Sequence, residues 1–167
     1  FQALKLFNKY NLDGIKIHSS DLLNIPLLRE AATSSNKIFL SAGGSTLVEI
    51  SNAINAIQEM NKEIEIIILY GYQLYPTEIK DTNLLRLKYL IEFFKNIKSF
   101  GIMDHVSAEH KFSKIMPLLA IPLGIKYIEK HITLSRKEKG VDYYSSLEPN
   151  EFKDFVTDIR TVESLLG

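Results

Sequence analysis

Short apolar runs rich in β-branched residues recur along the chain, and longer amphipathic stretches separate them. The runs are Gly14-Ile15-Lys16-Ile17-His18, Lys37-Ile38-Phe39-Leu40-Ser41, Ile64 to Tyr70, Phe100-Gly101-Ile102-Met103, and Ile125 to Ile132. Their starts lie roughly 23 to 36 residues apart, the span of a strand followed by a helix. Helical periodicity fills the gaps. Residues 46–60 open on Thr46-Leu47-Val48-Glu49, the pattern of a capping box. Residues 81–97 place Leu84, Leu87, Leu90, Ile91 and Phe94 on one stripe. A last helix is predicted from Pro149, with Phe152, Phe155, Val156, Ile159, Val162 and Leu166 on its buried face. The first ten residues read as the end of a helix with Phe1, Leu4, Leu6, Phe7 and Tyr10 apolar. The order is therefore a helix and then five strand–helix pairs in one domain over residues 1–167, with no linker or low-complexity stretch. Strand–helix alternation argues for a parallel sheet, either open and doubly wound or part of a β/α barrel.

Composition narrows the picture only a little. Lysine plus arginine equals aspartate plus glutamate, 20 against 20. That balance points to neither a nucleic-acid nor a membrane partner, although it leaves room for a local basic pocket. There is no cysteine, which removes disulfides and thiolate metal sites and fits a reducing cytoplasm. No apolar run approaches the ~20 residues of a membrane span. The chain opens with Phe1 in helical pattern, which reads as a trimmed or partial chain.

The strand ends separate the two folds. An open sheet places its ligand at one switch point. A barrel gathers polar groups from the C-terminal ends of several strands, and that pattern is present. The five ends are Lys16-Ile17-His18-Ser19-Ser20-Asp21, Ser41-Ala42-Gly43-Gly44, Tyr70 to Pro76, Asp104-His105 and Glu129-Lys130-His131. The expected fold is thus a partial TIM-type β/α barrel of five parallel strand–helix units.

Each end has a functional and a structural reading. Lys16 stands between two isoleucines of a strand expected to be buried. An ammonium there needs an anion, which a bound phosphate, a carboxylate or a structural partner could supply; a third reading is a Schiff-base lysine. Ser41 with Gly43-Gly44 precedes a helix N-terminus and suits a phosphate, or an ordinary tight turn. His105 and His131 end consecutive strands, which would bring the imidazoles together as ligands of a divalent metal or as hydrogen-bonded structural residues. Glu129, two residues before His131, is expected on the same side. His18 and His110 are weaker candidates, on a rim and on a solvated helix face. Tyr72, Gln73, Tyr75 and Pro76 form either a packed cap or a wall for a sugar or phosphate. Arg136, Lys137 and Lys139 read as a solvated loop.

From Lys16 to the last helix the chain resembles the C-terminal part of the sialic acid synthase barrel. The resemblance rests on Leu40-Ser41-Ala42-Gly43-Gly44, Tyr75-Pro76-Thr77, Asp104-His105, Ile128-Glu129-Lys130-His131-Ile132-Thr133-Leu134, Gly140-Val141-Asp142 and Ser146-Leu147-Glu148-Pro149. It implies a condensation of phosphoenolpyruvate with an N-acylated amino sugar. By the same resemblance Lys16, Ser19 and Ser41 hold the phosphate or carboxylate, and Gln73 and Tyr75 belong to the substrate pocket. Asp21 is an acid near the reacting carbon. His105 and His131 are the two ligands of a divalent metal, usually manganese, and Glu129 and Asp142 are acids near the metal and the sugar. A homodimer is implied for the full-length protein.

Three positions depart from the family pattern. Met103 stands where many members carry a phosphate-touching serine. Asp21 replaces glutamate, and Gln73 replaces asparagine. They suggest a divergent branch with a different sugar or weakened activity. The resemblance also places the chain after three barrel strands and before a small antifreeze-like domain, so residues 1–167 alone are not expected to turn over. Two other functions stay open: a Schiff-base aldolase using Lys16, and a non-catalytic module binding sugar or phosphoenolpyruvate in glycan biosynthesis.

Overall fold

The computed structural model describes residues 2–10 and 12–167. Phe1, assigned above to the first apolar stripe, lies outside them. Five strands, β1 (Ile15–Ile17), β2 (Lys37–Ser41), β3 (Glu65–Tyr70), β4 (Ser99–Met103) and β5 (Tyr127–Glu129), follow one another in chain order in one sheet. The helices are α1 (Gln2–Tyr10), α2 (Ile25–Ser34), α3 (Leu47–Met60), α4 (Leu84–Phe93), α5 (Phe112–Ala120) and α6 (Pro149–Leu166). This is the strand–helix alternation of a β/α barrel, with five parallel units. The chain divides into two compact units, residues 1–70 with 95–99 and residues 71–94 with 100–167.

In the first unit, register sets the core. Ile15 pairs with Ile38 and Ile38 with Ile66; Ile17 pairs with Leu40 and Leu40 with Ile68. All six are buried. Side chains alternate across a strand, so the row Lys16–Phe39–Ile67 takes the other face. The expectation that Lys16 is buried is corrected here: it is exposed between buried Ile15 and Ile17. The flanking isoleucines pack on one face; on the other, burial falls from Ile67 (buried) through Phe39 (half-buried) to Lys16, because β1 is the last strand in the order and no further strand among the described residues covers its side.

Helix α2 packs on α3, and the ends of both are set by local chemistry. Asn24 Oδ1 accepts from the Leu27 amide, and Pro26 lies in the first turn of α2. Thr46 caps α3 with a full capping box: its Oγ1 accepts from Glu49 N at 3.3 Å, and Glu49 Oε2 accepts from Thr46 N at 2.7 Å.

In the second unit, α5 packs on α6 around Ala108, Leu147 and Phe155, with Leu118, Ile128 and Ile159 against them. Helix α6 starts at Pro149, as its sequence predicts, but its buried face is narrower. Phe155 is buried, Val156, Ile159 and Val162 are half-buried, and Phe152 and Leu166 are exposed. An 18-residue helix outruns the small cluster it covers. Helix α4 is shorter than residues 81–97, although Leu87, Leu90 and Phe94 are buried as its stripe requires. Strand β5 holds three residues rather than eight. Around it, Lys126 N donates to Phe100 O at 2.8 Å, and Ile132 makes an isolated bridge to Leu147. Among the described residues no helix is long and apolar enough to cross a membrane.

Candidate active site

The predicted site residues fall in both units. The first carries Lys16, Ser19, Asp21 and Ser41. Lys16 is the exposed centre of β1, while Ser19 and Asp21 form a short 3-10 turn directly after it. His18 caps that turn, its Nδ1 accepting from Ser20 N at 3.2 Å, which is a structural role. Ser41 ends β2 and is fully buried, yet its Oγ has no hydrogen-bond partner. A buried hydroxyl is normally paired, and no group of the protein pairs this one. The next turn passes through Gly44 at φ +72° to the cap of α3. That conformation favours glycine.

The second unit gathers Gln73, Tyr75, His105, Glu129, His131 and Asp142. Gly71 opens the loop after β3. A Cβ there would meet Met103 O at 2.3 Å and Met103 Cγ at 2.6 Å, so only glycine lets the loop pass so close to the end of β4. Beyond it, Thr77 N donates to His105 O at 2.9 Å and Thr77 Oγ1 donates to Leu74 O at 2.8 Å. The fastened loop sets the Tyr75 ring edge-on to His105, with centroids 4.2 Å apart. The Tyr75 hydroxyl donates to Gln73 Oε1 at 2.8 Å, which gives Gln73 a definite role in orienting Tyr75. Met103, the residue in place of a serine, is buried beside Gly71 and packs as an apolar side chain.

The two imidazoles meet as consecutive parallel strands predict. The His105 and His131 ring centroids are 4.8 Å apart. His131 Nδ1 lies 3.9 Å from Asp142 Oδ2. Asp142 sits at φ 55° just before a short turn, a conformation that aspartate tolerates better than most residues. Burial and the neighbouring His131 push the His105 pKa down to about 4; Asp142, the Tyr72 backbone and Glu129 oppose that shift. His105 is therefore a neutral imidazole at neutral pH, and its buried Nδ1 has no hydrogen-bond partner. Tyr75 is pushed up, first by burial and then by Asp142 and Glu129, so its phenol stays protonated. A cavity of about 280 Å³ opens beside this group, lined by Tyr75, Gly140, Asp142, Tyr143, Tyr144 and Ser145.

A neutral His105 imidazole with an unpartnered buried ring nitrogen suits a divalent cation. Among the described residues no three histidine, aspartate or glutamate side chains come together as a metal cage. A cation here would have His105 and His131 as its ligands from the chain, with water and substrate oxygens supplying the rest.

The basic loop is tethered rather than wholly solvated. Arg136 donates to both carboxylate oxygens of Glu151 and to Ser146 O at 3.1 Å, and its backbone N donates to Glu148 Oε1 at 2.9 Å. His110 caps a turn, accepting from Phe112 N at 3.2 Å. Lys130 and Asp104, each next to a site histidine, form a buried ion pair. Their positions beside His131 and His105 were the only sequence signal for it.

Known proteins resemble this chain along its whole length. An uncharacterised protein of Methanocaldococcus jannaschii is 38% identical over 97% of this chain and 46% of its own length. The N,N'-diacetyllegionaminic acid synthase of Campylobacter jejuni is 34% identical over 99% of this chain and 48% of its own. The crystal structure of the N-acetylneuraminic acid (sialic acid) synthetase of Leptospira borgpetersenii, in complex with citrate, superposes with a TM-score of 0.85 at 30% identity. That match covers 98% of this chain and 54% of the synthetase. The chain spans about half the length of the relatives it matches. The family model described as the NeuB family matches residues 1–167 without a gap at either end, and the chain belongs to that family.

Proposed function

We propose that this chain forms the C-terminal part of the barrel of a synthase that condenses phosphoenolpyruvate with an N-acylated amino sugar, giving a sialic-type nonulosonic acid and phosphate. The observation that carries the reading is the His105–His131 pair: two adjoining imidazoles, one held neutral with an unpartnered buried nitrogen, beside Tyr75 and Asp142. A divalent cation on these histidines, manganese in this reading, would supply Lewis-acid polarisation of the sugar aldehyde. The chain supplies the rest. Lys16, Ser19 and Ser41 hold the phosphate and carboxylate of phosphoenolpyruvate by charge and hydrogen bonding, without a covalent bond. Tyr75, oriented by Gln73, offers a protonated phenol to a sugar oxygen. Asp142 accepts from a sugar hydroxyl and faces His131, and Glu129 adds negative charge beside both Tyr75 and His105. Asp21 is an acid near the reacting carbon of phosphoenolpyruvate.

In the reaction, C3 of phosphoenolpyruvate attacks the aldehyde carbon of the open-chain sugar, and the aldehyde oxygen takes a proton to become a hydroxyl. Water adds at C2, and loss of phosphate leaves the 2-keto acid. The test is phosphate release and keto-acid formation by the full-length protein. Both should require phosphoenolpyruvate, an acylamino hexose and manganese, and both should fall at least ~100-fold in His131→Gln, in line with loss of a metal ligand. Borohydride should trap no pyruvyl adduct on Lys16. Absence of sugar-dependent phosphate release across acetylmannosamine and diacetamido-trideoxy hexoses would refute the proposal.

A further inference from the structure

The ends of β4 and β5 carry a second charged group directly behind the histidines. Lys130 Nζ donates to Asp104 Oδ1 at 2.9 Å, to Asp104 Oδ2 at 3.0 Å and to Ser113 O, in the first turn of α5, at 3.0 Å. Asp104 Oδ1 also accepts from Val106 N at 3.0 Å. The two side chains are 1% and 3% exposed. Asp104 immediately precedes His105, and Lys130 immediately precedes His131. Successive residues of extended chain point to opposite sides, so the pair stands behind the rings, towards α5.

Stability alone is a poor reason for a pair this deep, because well-packed apolar side chains of similar volume commonly serve a core as well or better. What apolar packing lacks is direction. An ammonium with three acceptors, facing a carboxylate that also takes a backbone N–H, allows one separation and one rotation of the two strand ends. We propose that Lys130 and Asp104 are positioning residues, whose buried bond network holds His105 and His131 ring to ring and so sets the geometry of the cation-binding pair. The cation part of this inference rests on the function proposed above; the ring geometry does not.

The test reads those two parts separately in the full-length protein. With 13Cε1-labelled histidine, assigned through His105→Gln and His131→Gln, the ring protons of His105 and His131 should show a mutual nuclear Overhauser effect in the wild type. In a folded Lys130→Met variant that contact should be lost. Manganese affinity, read from the free-ion electron paramagnetic resonance signal, should fall about 10- to 100-fold, the usual effect of removing an outer partner of a metal ligand. Lys130→Arg, which keeps the charge, should restore part of both.

Should Lys130→Met not fold, Asp104→Leu/Lys130→Met removes both charges and leaves no unpaired ion. Loss of the ring contact in that folded double variant supports the proposal. An unchanged ring contact in either folded variant overturns it, as does an unchanged manganese affinity where the wild type binds manganese. A wild type that keeps the ring contact but binds no manganese would sink the cation site alone, and the ring contact in the variants would still decide the positioning role.

Discussion

The depressed His105 basicity makes a sharp prediction about stability against pH. An ordinary histidine titrates near 6.5, whereas burial and His131 bring His105 to about 4. His105 is 5% exposed as a residue, so solvent screening takes little from the effect. The sign follows from linkage. Between these two values the unfolded chain binds a proton at His105 that the folded chain refuses, so acid favours unfolding. The contribution is fully present above about pH 6.5 and declines as pH falls, reaching a loss of about 3 kcal/mol once pH has passed below about 4. Carboxylates such as Asp104 and Glu151 also titrate as acid is added, so the observable is a difference. Urea unfolding of wild type and His105→Gln, measured from pH 7.5 to 4 without added metal, should give two stability curves that converge as pH falls. The wild type should lose about 3 kcal/mol more than the variant over that range. Parallel curves would refute the reasoning, because they would mean that folded His105 titrates like a solvated imidazole.

Two further predictions come from packing and tethering. Gly71→Ala places a methyl group against the Met103 carbonyl at 2.3 Å, where backbone has little freedom to yield; urea unfolding should show a loss of about 1–3 kcal/mol, and the loop bearing Gln73 and Tyr75 should exchange its amides faster. Arg136→Met removes the paired bonds to Glu151 and the bond to Ser146 O, so thermal unfolding should report a loss of about 1–2 kcal/mol. Because Arg136 holds the Glu151 carboxyl below its usual range, that loss should shrink as pH falls and Glu151 becomes protonated.

Much of the architecture was legible in sequence because its signals are local. Lys37–Ser41 is β-rich over the length of a strand and forms one with those bounds. The Thr46–Glu49 spacing reports a capping box that needs only one turn of helix, and it is present. Pro149 marks the start of α6 for the same reason. The motif strings led to the right family, and consecutive parallel strands were enough to predict that His105 and His131 would meet.

Other features depended on partners distant in sequence. Two isoleucines around Lys16 suggest burial, but how far a strand position is covered depends on its neighbours in the sheet, and at the last strand in the order Lys16 is left exposed while Ile67 in the same row is buried. Nothing local shows that Lys130 will cross 26 residues to bond Asp104, that Arg136 will reach Glu151, or that Tyr75 will lie against His105. By itself the sequence determined the order of strands and helices and which polar residues stand at the strand ends, because turns, caps and periodicity act over a few residues. Only the tertiary structure decided which of those residues are buried, which are paired and which stay neutral, because desolvation and charge coupling are set by neighbours that the chain brings together only when it folds.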